Sequence, residues 1–129
     1  MLFFLLTDIE NSTSLWDLYG ETMLPALLSH NAILAEQIVQ AGGRILEMRG
    51  DGVLAIFQNT DPLPAVIEIQ RQLGRQSWGE IGELRIRIGL HGVLETSEGV
   101  EYFQREDQYY GPVLNYTARI MAACWVDRF

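Results

Sequence analysis

The sequence predicts a single α+β domain, and three features of its 129 residues support this class. Apolar runs typical of strands occur in several places, and segments with helical spacing lie between them. Glycine and proline separate these segments, and no repeat or low-complexity tract interrupts their order. With 48% hydrophobic and 20% charged residues, the chain can bury enough apolar surface to offset the entropy of folding. One domain spanning residues 1–129 is therefore expected.

Four elements are predicted in the first half of the chain: a strand over residues 2–7, helices over 12–20 and 22–41, and a hairpin over 44–57. The strand is a continuous apolar run, and Ser12 or Thr13 after it can cap the first helix. Leucine and isoleucine recur at helical spacing in the second helix until two glycines stop it. In the hairpin, Gly50-Asp51-Gly52 separates two apolar runs, because glycine tolerates the positive φ of tight turns. Asp51 is therefore expected at the hairpin tip.

Four further segments follow: a helix over 61–76, a strand over 85–90, an acidic loop or weak hairpin over 92–107, and a helix from 111 almost to the C-terminus. The strand alternates with period two, and proline next to the start of both helices is tolerated there. The predicted order is β-αα-β-β-α-β-(β)-α. With the helices on one face of a mixed sheet, this order predicts a ferredoxin-like or palm-type fold.

Charge and residue usage exclude several classes of function. The formal net charge of −8 opposes binding to nucleic acid, whose affinity depends on cationic contacts. All nine basic residues are arginine, which excludes a phosphate-binding loop ending in Gly-Lys and a lysine Schiff base. The single Cys124 indicates a reducing, cytoplasmic setting, and the apolar N-terminal run is too short to span a membrane. We therefore expect a cytoplasmic domain with no membrane segment in this chain.

Asp8 and Asp51 are the first candidates for chemistry. In a β-α-β-β sheet the first strand can lie beside the hairpin, which would bring the two carboxylates to one edge. Mg²⁺ favours one or two carboxylates together with phosphate oxygens, and a pair of ions can stabilise both oxygens of a phosphoryl displacement. The residues alone leave a second interpretation open, in which Asp8 caps a turn and Asp51 only serves the hairpin.

The start of the first helix and one face of the last helix offer a candidate phosphate site and a candidate pair of side chains that could stabilise a transition state. The free backbone N–H groups at Asn11-Ser12-Thr13 open a helix and form an anion site suited to a triphosphate. Asn115 and Arg119 are four residues apart, so that they share one helix face and project a neutral donor beside a planar cation. Such donors lower a barrier when they meet charge that grows at phosphorus. An ordinary solvent-exposed polar pair remains the alternative.

Four segments resemble, in order, the catalytic domain of class III adenylate and guanylate cyclases: FLLTDIENST at 4–13, GDG at 50–52, IGLH at 88–91 and YYGPVLNYTAR at 109–119. The resemblance covers nearly the whole chain. It implies that Asp8, Asp51 and the backbone of Ile9 bind two Mg²⁺ or Mn²⁺ ions per site. Asn115 and Arg119 match the residues that stabilise the transition state. The implied enzyme is a homodimer in which one subunit supplies the metal ligands and the other the Asn/Arg pair.

The implied reaction is attack of a ribose 3′-hydroxyl on the α-phosphate of a nucleoside triphosphate, with loss of pyrophosphate. By the same resemblance, the positions that read the base are Glu47 and Gln108. An ionised Glu47 only accepts hydrogen bonds, which suits the N1–H and amino donors of guanine, and Gln108 can donate to O6. The sequence therefore slightly favours GTP over ATP. Two alternatives stay open: Glu47 pairs with Arg49 or faces solvent, and Asp107 takes the place of Gln108.

The sequence departs from the family pattern in several places, among them Gly92-Val93 where Thr-Gly is usual after the histidine. Asn11 stands where the family usually has glycine, and the chain stops before the strands that complete the sheet in family members. A nucleotide cyclase fold that lacks its last strands is therefore expected. The competing interpretation is a catalytically weak or inactive module for nucleotide binding and dimerisation. A third interpretation is a relative of the palm-fold diguanylate cyclases.

Overall fold

The computed structural model describes residues 1–106 and 108–122. The elements in chain order are β1 (Leu2–Ile9), α1 (Ser12–Tyr19), α2 (Met23–Gln40), β2 (Arg44–Arg49), β3 (Gly52–Gln58), α3 (Leu63–Arg75), β4 (Ile86–Val93), β5 (Phe103–Arg105), β6 (Gln108–Tyr110) and α4 (Pro112–Ala122). Short 3₁₀ turns lie at Gly20–Thr22, Gly79–Ile81 and Glu95–Ser97. The predicted order and the α+β class are confirmed. The acidic segment before α4 forms the weak hairpin β5–β6.

Four strands form the main sheet in the order β2-β3-β1-β4. Neighbouring strands run antiparallel throughout this sheet, whereas the sequence predicted a mixed one. On β1, Thr7 lies opposite Val53 of β3 on one side and Ile88 of β4 on the other. β1 is therefore an interior strand, and its C-terminal end lies beside the start of β3.

Each face of the sheet carries its own core. Leu5 and Ile9 of β1 belong to the larger core, together with apolar residues of α1, α2 and α3. Phe4 belongs to the smaller core on the other face, together with Val113 of α4. The prediction that the helices share one face is therefore wrong for α4. β1 is apolar at both odd and even positions, so both faces of the sheet need cover.

α4 packs closely on β4 because Gly89 carries no side chain. A Cβ at Gly89 would lie 2.7 Å from the backbone oxygen of Thr117 and 2.8 Å from Cβ of Met121. The β5–β6 hairpin packs beside the helix, where the ring of Tyr109 meets the ring of Phe4 edge-on at 5.4 Å. This face therefore combines the hairpin, the helix and the end of β1 that carries the first candidate residues.

The turn between β1 and α1 has an unusual backbone. Asn11 is the N-cap residue with φ 56°, in the left-handed region, and it makes no side-chain cap hydrogen bond. The sequence predicted Ser12 or Thr13 as the cap, and that prediction is wrong. The turn needs a positive φ before the helix, and asparagine adopts this conformation more readily than other residues with a side chain, apart from aspartate. This explains how Asn11 can stand where glycine is usual in the resembling family.

Within the described residues, no helix has both the length and the apolar character needed to cross a bilayer.

Candidate active site

Asp8 lies near the end of β1, and its carboxylate is held by an arginine from the next strand. Arg87 on β4 is its direct cross-strand partner. Nε of Arg87 donates to Oδ1 of Asp8 at 2.8 Å, and Nη2 donates to Oδ2. The Asp8 side chain is 23% exposed and the Arg87 side chain is 30% exposed, so the pair is partly shielded from water. Asp8 is therefore part of a bidentate ion pair, which is the strongest geometry for arginine and carboxylate.

Asp51 lies in the turn between β2 and β3, as predicted. Extending the β1–β3 register by two residues beyond Thr7 and Val53 brings Ile9 across from Asp51. The backbone of this turn is close to β1, since a Cβ on Gly52 would lie 3.2 Å from the Thr7 carbonyl oxygen. The fold therefore brings Asp8, Ile9 and Asp51 to the same end of the sheet.

The charge of Asp51 also influences a buried histidine of α2. His30 is fully buried, and its Nδ1–H donates to Oδ1 of Asn31 at 2.8 Å. Burial lowers the pKa of His30, and the hydrogen bond to Asn31 and the negative charge of Asp51 act in the opposite direction. Within the described part of the chain, Nε2 of His30 has no hydrogen-bond partner. The Asp8 carboxylate, by contrast, is engaged by Arg87 on the α4 side of the sheet.

The predicted phosphate site is the start of α1. Leu15 N donates to Asn11 O at 3.0 Å, so the amides of residues 12 to 14 precede the first helical hydrogen bond. Asn11 and Thr13 are exposed, and Ser12 is half-buried. These amides begin three residues after Ile9, close in sequence to the Asp8 end of β1. The arrangement fits the predicted anion site.

Asn115 and Arg119 lie on the outer face of α4, and both are exposed. The inner face of this helix is formed by Val113, Thr117 and Met121. Arg87 reaches the far end of the helix, where its Nη1 donates to the Ala122 carbonyl at 3.4 Å. Asn115 is seven residues before Ala122, about 10 Å along the helix axis. The structure therefore places Asn115 and Arg119 together on the exposed surface of α4.

The two predicted base-reading residues lie on different sheets. Glu47 on β2 is exposed, and Oε1 accepts a hydrogen bond from Nη2 of Arg49 at 2.8 Å in an exposed salt bridge. This is the alternative partner that the sequence analysis left open for Glu47. Gln108 starts β6 and is exposed, while the next residue, Tyr109, is buried. Asp107, the alternative to Gln108, lies outside the described residues. The structure does not bring Glu47 and Gln108 into contact with each other.

The donor atoms at the Asp8 end of the sheet fit a hard divalent cation. No cluster of three or more histidine, cysteine, aspartate or glutamate side chains occurs among residues 1–106 and 108–122. A cation at this end of the sheet would bind Asp8, Asp51 and the Ile9 carbonyl. Because the protein offers few side-chain ligands there, phosphate oxygens or water would complete the coordination shell. Mg²⁺ prefers such a set of one or two carboxylates with substrate phosphates.

Sequence reasoning did not single out Arg87, although it contacts the first candidate residue. The signal was present in part, because Arg85 and Arg87 alternate with apolar residues at the start of the predicted strand. Its partner is 79 residues away in the chain, and only the strand pairing reveals it.

Several proteins with sequence similarity to this chain are named adenylate cyclases. An adenylate cyclase of Schizosaccharomyces pombe is 32% identical over 139 residues, covering 90% of this chain and 8% of that protein. An uncharacterized protein of Mycobacterium bovis is 31% identical over 120 residues, covering 90% of this chain and 37% of its own length. The chain thus spans less than half of either relative. No known family model matches the chain.

Solved structures with the same fold are adenylate and guanylyl cyclase domains. A structure of adenylate cyclases from Trypanosoma brucei aligns with TM-score 0.80 at 20% identity, covering 97% of this chain and 68% of that one. The guanylyl cyclase Cya2 aligns with TM-score 0.73 at 25% identity, covering 97% and 71% of the two chains. The fold is that of a nucleotide cyclase catalytic domain. In sequence and in fold the chain is similar to class III adenylate and guanylate cyclases.

Proposed function

We propose that this domain converts a purine nucleoside triphosphate to the 3′,5′-cyclic nucleotide and pyrophosphate. The observation that carries the proposal is the gathering of Asp8, Ile9 and Asp51 at one end of the sheet, next to the first amides of α1. In a chain similar to class III cyclases, that combination supplies carboxylates for cations and N–H groups for phosphates at adjoining positions. The O3′–Pα bond forms, the bond from Pα to the bridging oxygen of pyrophosphate breaks, and the 3′-hydroxyl proton passes to water.

The proposed cofactor is a pair of Mg²⁺ or Mn²⁺ ions held by Asp8, Asp51 and the Ile9 carbonyl. When bound, these ions stabilise the attacking oxygen and the charge on the phosphates. The residues of the chain then have separate tasks. Asp8 and Asp51 fix the triphosphate through the cations, and the amides at the start of α1 hold phosphate oxygens.

We propose a homodimer because Asn115 and Arg119 lie on the exposed face of α4, where a second subunit can meet them. In a symmetric pair, the same surface meets itself across the two-fold axis, so each α4 can face the partner's metal site. Arg119 would then stabilise the negative charge that grows on the α-phosphate, and Asn115 would orient the ribose. Each of the two sites would use residues of both subunits.

For the base, we propose GTP ahead of ATP, on the chemistry of Glu47. Its carboxylate is exposed on β2, and it accepts hydrogen bonds only. The N1–H and amino group of guanine donate to such a group, whereas N1 of adenine presents a lone pair to it. The Arg49 salt bridge is exposed, so exchanging it for a base costs little. The related S. pombe protein is named an adenylate cyclase, and the assay below therefore compares both purines.

The test is formation of cyclic nucleotide and pyrophosphate from GTP, ATP, CTP and UTP with Mn²⁺ or Mg²⁺. Asp51→Asn is expected to lower turnover at least about 100-fold, because it removes one charged metal ligand. The matched control is Asp61→Asn. Oδ1 of Asp61 accepts from Leu63 N at 2.9 Å, and asparagine keeps that cap while making the same change of charge. Equal activity of the two variants, or no cyclic product from the wild type with any nucleotide, would contradict the proposal.

A mixing experiment tests the shared site. Asp51→Asn and Arg119→Ala are each expected to be inactive alone. In a random mixture, half of the dimers contain one intact site, which predicts about a quarter of the wild-type activity per chain. No recovery on mixing would refute the shared site. A wild type that binds nucleotide without turnover would instead favour the alternative of an inactive binding and dimerisation module.

A further inference from the structure

We propose that Arg87 competes with the metal ion for the Asp8 carboxylate, so that this ion pair weakens cation binding to the nucleotide-free domain. The inference rests on the proposed function in one respect, namely that Asp8 is a metal ligand. It adds a residue that controls metal loading.

The geometry of the pair sets the guanidinium and a cation in competition for the same two oxygens. Arg87 uses both oxygens of Asp8, with Nε to Oδ1 at 2.8 Å and Nη2 to Oδ2. A divalent cation bound to the same carboxylate would bring a second positive charge into direct contact with the guanidinium. At such a distance, like charges repel strongly in a partly shielded site. Each of the two therefore weakens the binding of the other.

The pairing is built into the fold. Asp8 and Arg87 are directly opposite each other on adjacent antiparallel strands, so their side chains share one face without any loop movement. The guanidinium also reaches the Ala122 carbonyl at the end of α4. Arg87 is therefore held from two sides and does not drift from Asp8 as an exposed arginine would.

Arg85 provides a matched control two residues before Arg87. It carries the same charge, and Nη2 donates to Oε2 of Glu83 at 2.6 Å in a pair whose acid is 71% exposed. Arg85→Gln changes the net charge of the domain as Arg87→Gln does, but it leaves the Asp8 ion pair in place. Any effect of general charge on cation affinity appears equally in both variants.

The experiment is a titration of the nucleotide-free domain with Mn²⁺, in which the electron paramagnetic resonance signal of free Mn²⁺ measures how much is bound. Arg87→Gln is expected to tighten binding about threefold to tenfold relative to the wild type, as a partly shielded bidentate pair implies. Arg85→Gln is expected to change the Mn²⁺ affinity less than about twofold, because water and salt screen the charges of an exposed pair. In an Asp8→Asn background, Arg87→Gln should give no gain. Equal affinities of Arg87→Gln and wild type, or equal gains in both arginine variants, would overturn the inference.

Arg87→Lys is the second variant in case the glutamine variant does not fold. Lysine keeps the charge but loses the two-pronged contact, so an intermediate gain in Mn²⁺ affinity is expected. No gain with lysine, in a domain that melts like the wild type, would also overturn the inference. Because binding is measured without nucleotide, its outcome is independent of cyclase turnover. Turnover with unchanged Mn²⁺ affinity would leave the proposed function standing and remove only the competition by Arg87.

Discussion

Replacing Gly89 by alanine tests the contact between α4 and the sheet. The added Cβ would lie 2.7 Å from the Thr117 oxygen and 2.8 Å from Cβ of Met121, where ordinary contacts start near 3.4 Å. The first of these atoms is backbone, so no side-chain rotation relieves the overlap of about 0.7 Å. α4 must move away from β4, and overpacking of this kind costs about 1–3 kcal/mol. The expected result is that loss in the free energy of urea unfolding, in a domain that still folds.

The control is Gly74→Ala, near the end of α3. A Cβ there meets no atom within 4 Å, and the residue is helical. Alanine at this position should stabilise the domain by about 0.5–1 kcal/mol, because glycine loses more backbone freedom on folding. The displaced α4 carries Asn115 and Arg119, so Gly89→Ala should also reduce cyclase turnover in folded protein. A Gly89→Ala domain with wild-type stability and turnover would refute the account of how α4 packs.

Two further predictions concern His30 and Asn11. Burial lowers the pKa of His30, so the unfolded chain takes up a proton near pH 6.5 whereas the folded chain does not. The free energy of unfolding should therefore fall as the pH drops below that value, by at most about 1.4 kcal/mol per pH unit. Urea unfolding at several pH values should show no such dependence in His30→Gln, while the control His91→Gln should keep it. A pH dependence that remains in His30→Gln would contradict its assignment to His30. Asn11 has φ 56°, so Asn11→Ala should cost about 1 kcal/mol and Asn11→Gly should cost nothing. Equal unfolding energies of these two variants would show that the positive φ is not needed.

Local pattern predicted the order and approximate bounds of the elements because each follows from its own residues. The Gly50-Asp51-Gly52 turn is an example, since the glycines and the flanking apolar runs suffice to predict a hairpin. β4 was predicted over 85–90 and extends over Ile86–Val93. The extra residues are Gly92 and Val93 with their neighbour His91, and they are held by pairing with β1. A strand fixed by its neighbour is longer than its own periodicity indicates.

The candidate site was less predictable, because its contacts join distant parts of the chain. The turn position of Asp51 is local and was predicted, whereas the partner of Asp8 depends on the β1–β4 register. The placement of α4 on the second face depends on the space above Gly89, which no helical pattern contains. Metal ligation by Asp8 and Asp51 and catalysis by Asn115 stay predictions until the variants are assayed.

β1 is bordered on both sides, by β3 over Leu2–Thr7 and by β4 over Leu2–Ile9. Its amides can exchange with deuterium only when the sheet separates as a whole, so they should be among the slowest in the domain. Asp8 is thus attached to the part of the chain that opens last. A regulatory signal that arrives from elsewhere would leave this strand intact and act through the periphery, by shifting α4 or the hairpin tip.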